Sequence, residues 1–136
     1  ATDRARYATP VRGRKAWLCD VRDQLESEFR SPPSLTALAS ARGVHPAYLC
    51  HAFRAAFGIS IGQFVRTVRF EWAREALRVG RAATDISTIV DMSLADIAAA
   101  AGFSDQAHLS REFRKRAGVS PGRFRRETPA AKPRTV

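Results

Sequence analysis

The sequence SLTALASARG at residues 34–43 decides the fold, because a second version of it, SLADIAAAAG, follows at residues 93–102. Five of the ten positions are identical at an offset of 59 residues. After a one-residue insertion, nine further residues are identical at an offset of 60, between residues 47–66 and residues 107–126. Shared composition would give only a few such identities, so the chain contains an internal repeat.

Each copy of the repeat has the pattern of a helix-turn-helix. A short apolar helix follows a serine that can cap it, Ser34 in the first copy and Ser93 in the second. That helix ends at Gly43 or Gly102, since glycine takes the left-handed conformation of a helix end without strain. A short turn then leads to a longer helix with arginines on its outer side. The repeat therefore predicts two helix-turn-helix motifs.

The longer helix of each copy also needs a residue that caps its first turn. In the second copy we expect Ser104 to provide this cap. In the first copy His45 stands at the same place, and Pro46 takes the first helical position, where its missing amide costs nothing. The turn chemistry is therefore suitable in both copies.

The residues outside the repeat also have helical spacing. A first helix is predicted by an apolar stripe at Trp17, Leu18, Val21, Leu25 and Phe29, with acidic residues on the opposite face. Residues 61–77 carry a second stripe, which includes Trp72 and predicts a long linker helix that ends near Gly80. Its length of roughly 28 Å approaches the ~34 Å of one turn of B-DNA. We expect both tryptophans to lie in the core.

No stretch alternates with a period of two for long enough to predict a strand, so the predicted fold is all-α with about seven helices. Two helix-turn-helix subdomains are joined by the long linker helix. The predicted organisation is a flexible basic arm at 1–13, a first helix-turn-helix subdomain at 14–60, the linker helix at 61–80, an inserted loop or helical turn at 81–92, a second helix-turn-helix subdomain at 93–127, and a disordered tail at 128–136.

The charge of the 136-residue chain predicts a polyanionic partner, because 23 basic residues against 13 acidic ones leave a net charge of +10. The longest mainly apolar stretch, residues 97–103, is too short to cross a bilayer, and no signal peptide is recognisable. Two cysteines cannot form a disulfide framework or a four-cysteine zinc site, and no histidine has ligand spacing. We expect no metal, no cofactor and no enzyme activity, since no catalytic constellation is present.

Residues 93–121, SLADIAAAAGFSDQAHLSREFRKRAGVSP, resemble the C-terminal signature of the AraC/XylS family of transcription regulators. The matching elements include I-A-x-x-x-G-F at residues 97–103 and G-x-S-P at residues 118–121. Arg66, Arg69 and Ala73 resemble the R-x-x-R-x-x-x-A pattern of the linker helix of that family. The resemblance covers about residues 15 to 127. Family members usually pass from the linker helix to the second motif in a handful of residues, so part of the segment between residues 80 and 92 is an insertion.

The resemblance implies a bacterial, cytoplasmic regulator that acts at the nucleoid, with double-stranded DNA as the partner and no membrane. It also implies RNA polymerase as a second partner, which suits an activator. The domain is expected to be monomeric, with dimerisation of the full-length protein through a preceding N-terminal domain. The missing initiator methionine suggests a fragment of a longer protein.

The buried stripes turn one face of each longer helix outward, and the resemblance implies that positions 47, 50 and 51 of the first copy face the bases while Arg54 contacts the backbone. The predicted base-facing residues are Ala47, Cys50 and His51 in the first copy, and Gln106, Ala107, Ser110 and Arg111 in the second. Gln106 can pair with adenine and Arg111 with guanine, whereas the first set contains no strong bidentate reader, although Ala47 and Cys50 can pack on a thymine methyl group. Two alternatives involve no base recognition. In one, the first set only covers the wall of the groove, and in the other, Arg111 only neutralises a phosphate.

The predicted phosphate contacts are Arg54, Arg66, Arg69, Arg114, Lys115, Arg123 and Arg126. Such contacts supply affinity without sequence information. About six engaged cations would give a log-log salt slope near −5. The main alternative function is a protein-recruiting adaptor with only nonspecific DNA contact, which exposed aromatic residues unexplained by core packing would favour.

Overall fold

The computed structural model describes residues 16–79 and 92–127, and within them it contains seven α-helices and no strand. The helices are α1 (Ala16–Ser27), α2 (Leu35–Ala41), α3 (Pro46–Phe57), α4 (Ile61–Val79), α5 (Leu94–Ala101), α6 (Gln106–Ala117) and α7 (Pro121–Glu127). The predicted all-α class is confirmed. The predicted arm at 1–13, nearly all of the predicted insertion at 81–92, and the predicted tail at 128–136 lie outside the described residues.

The chain divides into two compact units, and the division falls between Val68 and Arg69, inside α4. The first unit contains α1, α2, α3 and the first part of α4, while the second contains the rest of α4 with α5, α6 and α7. The predicted linker helix therefore contributes to both cores. Phe64 is buried in the first unit, and Leu77 is buried in the second.

The core of the first unit is built around Phe53, which is fully buried on α3. Its ring lies 4.7 Å from the ring of Phe57 and 5.8 Å from the ring of Phe64, measured between centroids. Aromatic pairs at these separations contribute beyond the area that they bury. α1 ends at Ser27, so Phe29 follows the helix that its stripe predicted, and it is nevertheless buried.

The core of the second unit repeats this arrangement around Phe113 of α6. The ring of Phe113 lies 5.1 Å from that of Phe70 and 5.2 Å from that of Phe124. Ile97 and Leu109 are also fully buried in this cluster. Because Phe53 and Phe113 occupy equivalent positions of the repeat, the repeated sequence gives each unit the same central side chain.

The two tryptophans are an exception to the predicted core. Both Trp17 and Trp72 are half-buried rather than enclosed. Trp72 packs against the edge of the second core. Trp17 stacks on Tyr48 of α3, with ring centroids 6.3 Å apart and an interplanar angle of 26°. The large indole ring therefore covers the margin of each core, while smaller apolar side chains fill the centre.

The predicted ends of the short helices are confirmed. The Ser34 hydroxyl accepts a hydrogen bond from the backbone N–H of Ala37 at 3.1 Å. Ser93 caps α5 in the same way and exchanges a reciprocal hydrogen bond with Asp96. Gly43 has φ of 65° and Gly102 has φ of 91°, which is the left-handed region expected at these helix ends.

The predicted cap of α6 is wrong. The carboxylate of Asp105, rather than the hydroxyl of Ser104, accepts a hydrogen bond from the backbone N–H of His108 at 2.7 Å. Ser104 Oγ instead lies 3.2 Å from the Nδ1 atom of His108. In the first unit His45 caps α3 as predicted, through a hydrogen bond of 3.1 Å from the N–H of Ala47 to Nδ1.

Candidate nucleic-acid interface

The outward face of α3 presents the residues that the sequence predicted for the first reading surface. Ala47, Cys50, His51 and Arg54 are exposed. The opposite side of the helix carries Leu49, Phe53 and Phe57, which are buried in the core. Because the buried residues recur every three to four positions, they fix the rotation of the helix and leave the predicted residues on one outer side.

A concavity of about 660 Å³ lies along this face of α3. Its lining consists of Leu35, Ala47, Cys50, His51, Arg54, Ser60, Ile61 and Gly62. Four of these residues, which belong to the start of α2 and the start of α4, were not predicted from the sequence. Leu35 precedes α3 by eleven residues, whereas Ser60, Ile61 and Gly62 follow its end within five residues, so the packing of α2 and the start of α4 complete this surface.

The outward face of α6 presents the second predicted reading surface. Gln106, Ala107 and Arg111 are exposed, and Ser110 is half-buried. Leu109 and Phe113 are fully buried on the other side. A concavity of about 370 Å³ on this face is lined by Ser110, Arg111, Arg114 and Lys115. This surface is more strongly cationic than that of α3.

The predicted phosphate contacts fall into two groups. Arg54, Arg66, Arg114 and Lys115 are exposed, and within residues 16–79 and 92–127 none of them takes part in an ion pair. Arg123 donates a hydrogen bond of 2.8 Å to Glu127, which raises the pKa of its guanidinium. Arg69 and Arg126 also have interaction partners of their own. The first group therefore holds cations that are available to an anionic partner.

Among the described residues, the acidic side chains of the first unit lie on or just after α1, not on α3, which carries its predicted reading surface. Asp20, Asp23 and Glu28 are exposed on or just after α1. Asp23 accepts a hydrogen bond of 3.0 Å from Arg22. The exposed positions of α3 carry no carboxylate, so this helix offers an anionic partner no like charge of its own.

Residues 16–79 and 92–127 lack two other kinds of site. In this part of the chain, no group of three or more His, Cys, Asp or Glu side chains is placed to hold a metal ion. None of the seven described helices is both long and apolar enough to cross a membrane. Tyr48 and Leu35 are the large hydrophobic residues that are exposed here, at 42% and 37%. Tyr48 stacks on Trp17 and Leu35 lines the α3 concavity, so they do not form a separate docking surface.

Comparison with known proteins identifies the family. Residues 38–127 match a family model described as a helix-turn-helix domain. This range includes most of α2, all of α3 and every later described helix. The chain belongs to the AraC-type helix-turn-helix family of DNA-binding domains.

Curated relatives of the chain are transcription regulators. The chain is 31% identical to the HTH-type transcriptional regulator GlxA of Rhizobium meliloti (strain 1021) over 111 residues, which cover 82% of this chain and 31% of that protein. It is 38% identical to the arabinose operon regulatory protein of Escherichia coli (strain K12) over 80 residues, which cover 59% of this chain and 24% of that protein. The matched part of the chain spans between 12% and 37% of the length of these curated relatives.

Solved structures share the fold. The C-terminal domain of AraT, a response regulator from Geobacillus stearothermophilus, superposes with a TM-score of 0.70 at 27% identity, covering 91% of this chain and 94% of that domain. The DNA-binding domain of AdpA, solved in complex with a target DNA, superposes with a TM-score of 0.71 at 22% identity. That match covers 89% of this chain and all of that domain, so the seven-helix arrangement is shared between them.

Proposed function

We propose that this chain binds double-stranded DNA sequence-specifically by placing α3 and α6 in adjacent major grooves, as the DNA-binding part of a bacterial AraC-type transcription regulator. One observation carries the proposal. In each unit, the outer face of the second helix of the helix-turn-helix is exposed, with Arg54 or Arg114 at the same place and without an ion pair among the described residues. The major groove of B-DNA is wide enough for one α-helix, and the positive charge of arginine is complementary to the negative charge of the phosphates.

Within this proposal, the second unit is the stronger base reader. Arg111 is exposed at the centre of α6, and Gln106 is exposed at its first turn. Arginine reads guanine and glutamine reads adenine through two hydrogen bonds each, and each such contact discriminates by about 1–3 kcal/mol. The exposure of both side chains supports this role, because neither must leave a buried position to reach a base.

The decisive experiment is selection of bound sequences from a random duplex pool, followed by competition binding with variants. We expect two half-elements in the selected site, and we expect Arg111→Ala with Gln106→Ala to relax the preference in one of them. Arg116→Ala is the matched control on α6, because Arg116 pairs with Glu112 at 3.6 Å and lies over the ring of Phe70. The control should retain the full sequence preference.

The results of this selection also separate the alternatives. If Arg111 only neutralises a phosphate, Arg111→Ala weakens binding to all sequences by the same factor. If the chain is an adaptor that binds DNA nonspecifically, the selection returns no enriched sequence. Exposed aromatic side chains would favour the adaptor, but the exposed Tyr48 is accounted for by its stacking on Trp17.

The remaining parts of the proposal concern the whole regulator. DNA binding by both units lets one copy of the chain occupy an asymmetric site, so the DNA-binding part works as a monomer. RNA polymerase is the second partner of an activator of this class, and the location is the bacterial cytoplasm. No cofactor, metal or enzymatic activity is assigned to this part of the regulator.

A further inference from the structure

The two reading surfaces differ in chemistry at equivalent positions of the repeat. Cys50 of α3 corresponds to Ser110 of α6, His51 corresponds to Arg111, and Ala55 corresponds to Lys115. In each pair the first unit carries the side chain that is less polar or less basic. The first surface therefore lacks the bidentate hydrogen-bonding groups with which the second surface can recognise a purine.

What the first surface offers instead is an apolar wall. Leu35, Ala47, Cys50 and Ile61 line its concavity together with Gly62, which presents no side chain. Leu35 is 37% exposed, so part of its apolar side chain is accessible at this concavity. Arg54 lines the same concavity and supplies a cation for the phosphate backbone. An apolar wall beside a cation is complementary to a DNA groove that presents an apolar group.

The major groove presents one apolar group on its base edges, the C5-methyl group of thymine. Cytosine lacks this methyl group, and purines present nitrogen and oxygen atoms at the corresponding depth. A surface formed by small and apolar side chains can exclude water from such a methyl group, and the removal of apolar area from water stabilises the contact.

We propose that the first unit reads its half-element through thymine methyl groups, which pack against Leu35, Ala47 and Cys50. This inference rests on the proposed DNA binding and adds the chemistry of one half-element to it. His51 and Arg54 then fix the register of α3 on the duplex, while the apolar wall supplies the sequence preference.

The test replaces single thymines by uracil in the selected DNA site. This replacement removes the methyl group and leaves every hydrogen-bonding atom of the base in place. We expect binding to weaken by about fourfold for each contacted thymine, as the burial of one methyl-sized group implies. The double variant Arg111→Ala with Gln106→Ala also identifies the half-element of the first unit. That half-element is the one in which the variant keeps the base preference of the parent protein.

Two variants connect the uracil effect to the proposed wall. Leu35→Ala with Cys50→Ser should reduce the penalty for uracil in the first half-element to less than about twofold, since less apolar surface remains to be covered. Arg54→Ala is the matched control, because it should weaken binding to thymine and uracil sites by the same factor. Both changes are at exposed positions, so the melting temperatures of the variants should stay close to that of the parent protein.

The outcomes distinguish this inference from the proposed function. An enriched two-part site in which no uracil replacement in the first half-element changes affinity by as much as twofold would overturn the methyl reading and leave DNA binding intact. A first half-element without thymine would overturn it as well. The absence of any enriched site would instead contradict the proposed function itself.

Discussion

The salt dependence of DNA binding can be estimated from the exposed cations of α3, α4 and α6. Arg54, Arg66, Arg114 and Lys115 are exposed and form no ion pair within the described part of the chain. Each phosphate that a cation neutralises contributes about −0.9 to the slope of log affinity against log salt, so these four give about −3.6. Affinity should then fall about 150-fold between 50 and 200 mM salt. Any contact by Arg69, Arg123 or Arg126 makes the slope steeper.

The perturbation is the double variant Arg54→Ala with Arg114→Ala, which removes the equivalent cation from each unit. The slope of log affinity against log salt should be shallower than that of the parent by about 1.8. With two cations instead of four, the affinity should fall by only about 12-fold between 50 and 200 mM salt. Fluorescence anisotropy on a labelled duplex that carries the selected site measures both slopes. Arg78→Ala is the control, since Arg78 is held by Glu75 at 3.0 Å, and it should leave the slope unchanged.

A parent slope shallower than about −2 would refute the reasoning, because it would mean that at most two cations displace counterions. Equal slopes for the parent and the double variant would refute the assignment of these two arginines. In that case the phosphate contacts would have to come from other basic residues.

Three further predictions concern stability, and thermal denaturation measures each of them. Asp105→Ala should destabilise the fold by about 1 kcal/mol through loss of the α6 cap, whereas Ser104→Ala should have little effect; the reverse order would restore Ser104 as the cap. Phe113→Ala should cost about 3–5 kcal/mol, because it opens a cavity between Phe70 and Phe124, and a loss below 1 kcal/mol would show that the ring is not central to the core. Gly102→Ala should cost about 1–2 kcal/mol, since alanine is strained at a φ of 91°, and an unchanged melting temperature would contradict that backbone conformation.

The fold could be predicted from the sequence because the helix-turn-helix pattern occurs twice in the chain. The serine caps, the glycine ends and the apolar stripes of residues 34–66 recur in residues 93–126, so each copy supports the interpretation of the other. The repeat also carries information on the cap of α6. An offset of 60 aligns Asp105 with His45, the residue that caps α3, so the repeat itself points to Asp105 rather than Ser104.

The residues of α2 and α4 that line the concavity beside α3 could not be predicted in the same way. Helical periodicity shows that Ala47, Cys50 and His51 share the outer side of α3, because they belong to one helix. It does not show which residues of other helices stand beside them. Leu35 reaches the concavity because α2 packs on α3, and Ile61 reaches it because α4 begins shortly after α3 ends; the periodicity within α3 shows neither contact. The stacking of Trp17 on Tyr48 escaped prediction for the same reason.

The difference between the mainly apolar surface of α3 and the strongly cationic surface of α6 would give the DNA site a direction. A site that is read by two unlike surfaces changes when its two half-elements are exchanged, so the order of the half-elements along the DNA would set the direction in which the chain binds. Inverting the binding site within a promoter would therefore reverse the orientation of the bound protein relative to the transcription start. The two copies of the repeat differ in this manner. A single polypeptide can therefore carry one reader for the upstream half-element and another for the downstream half-element.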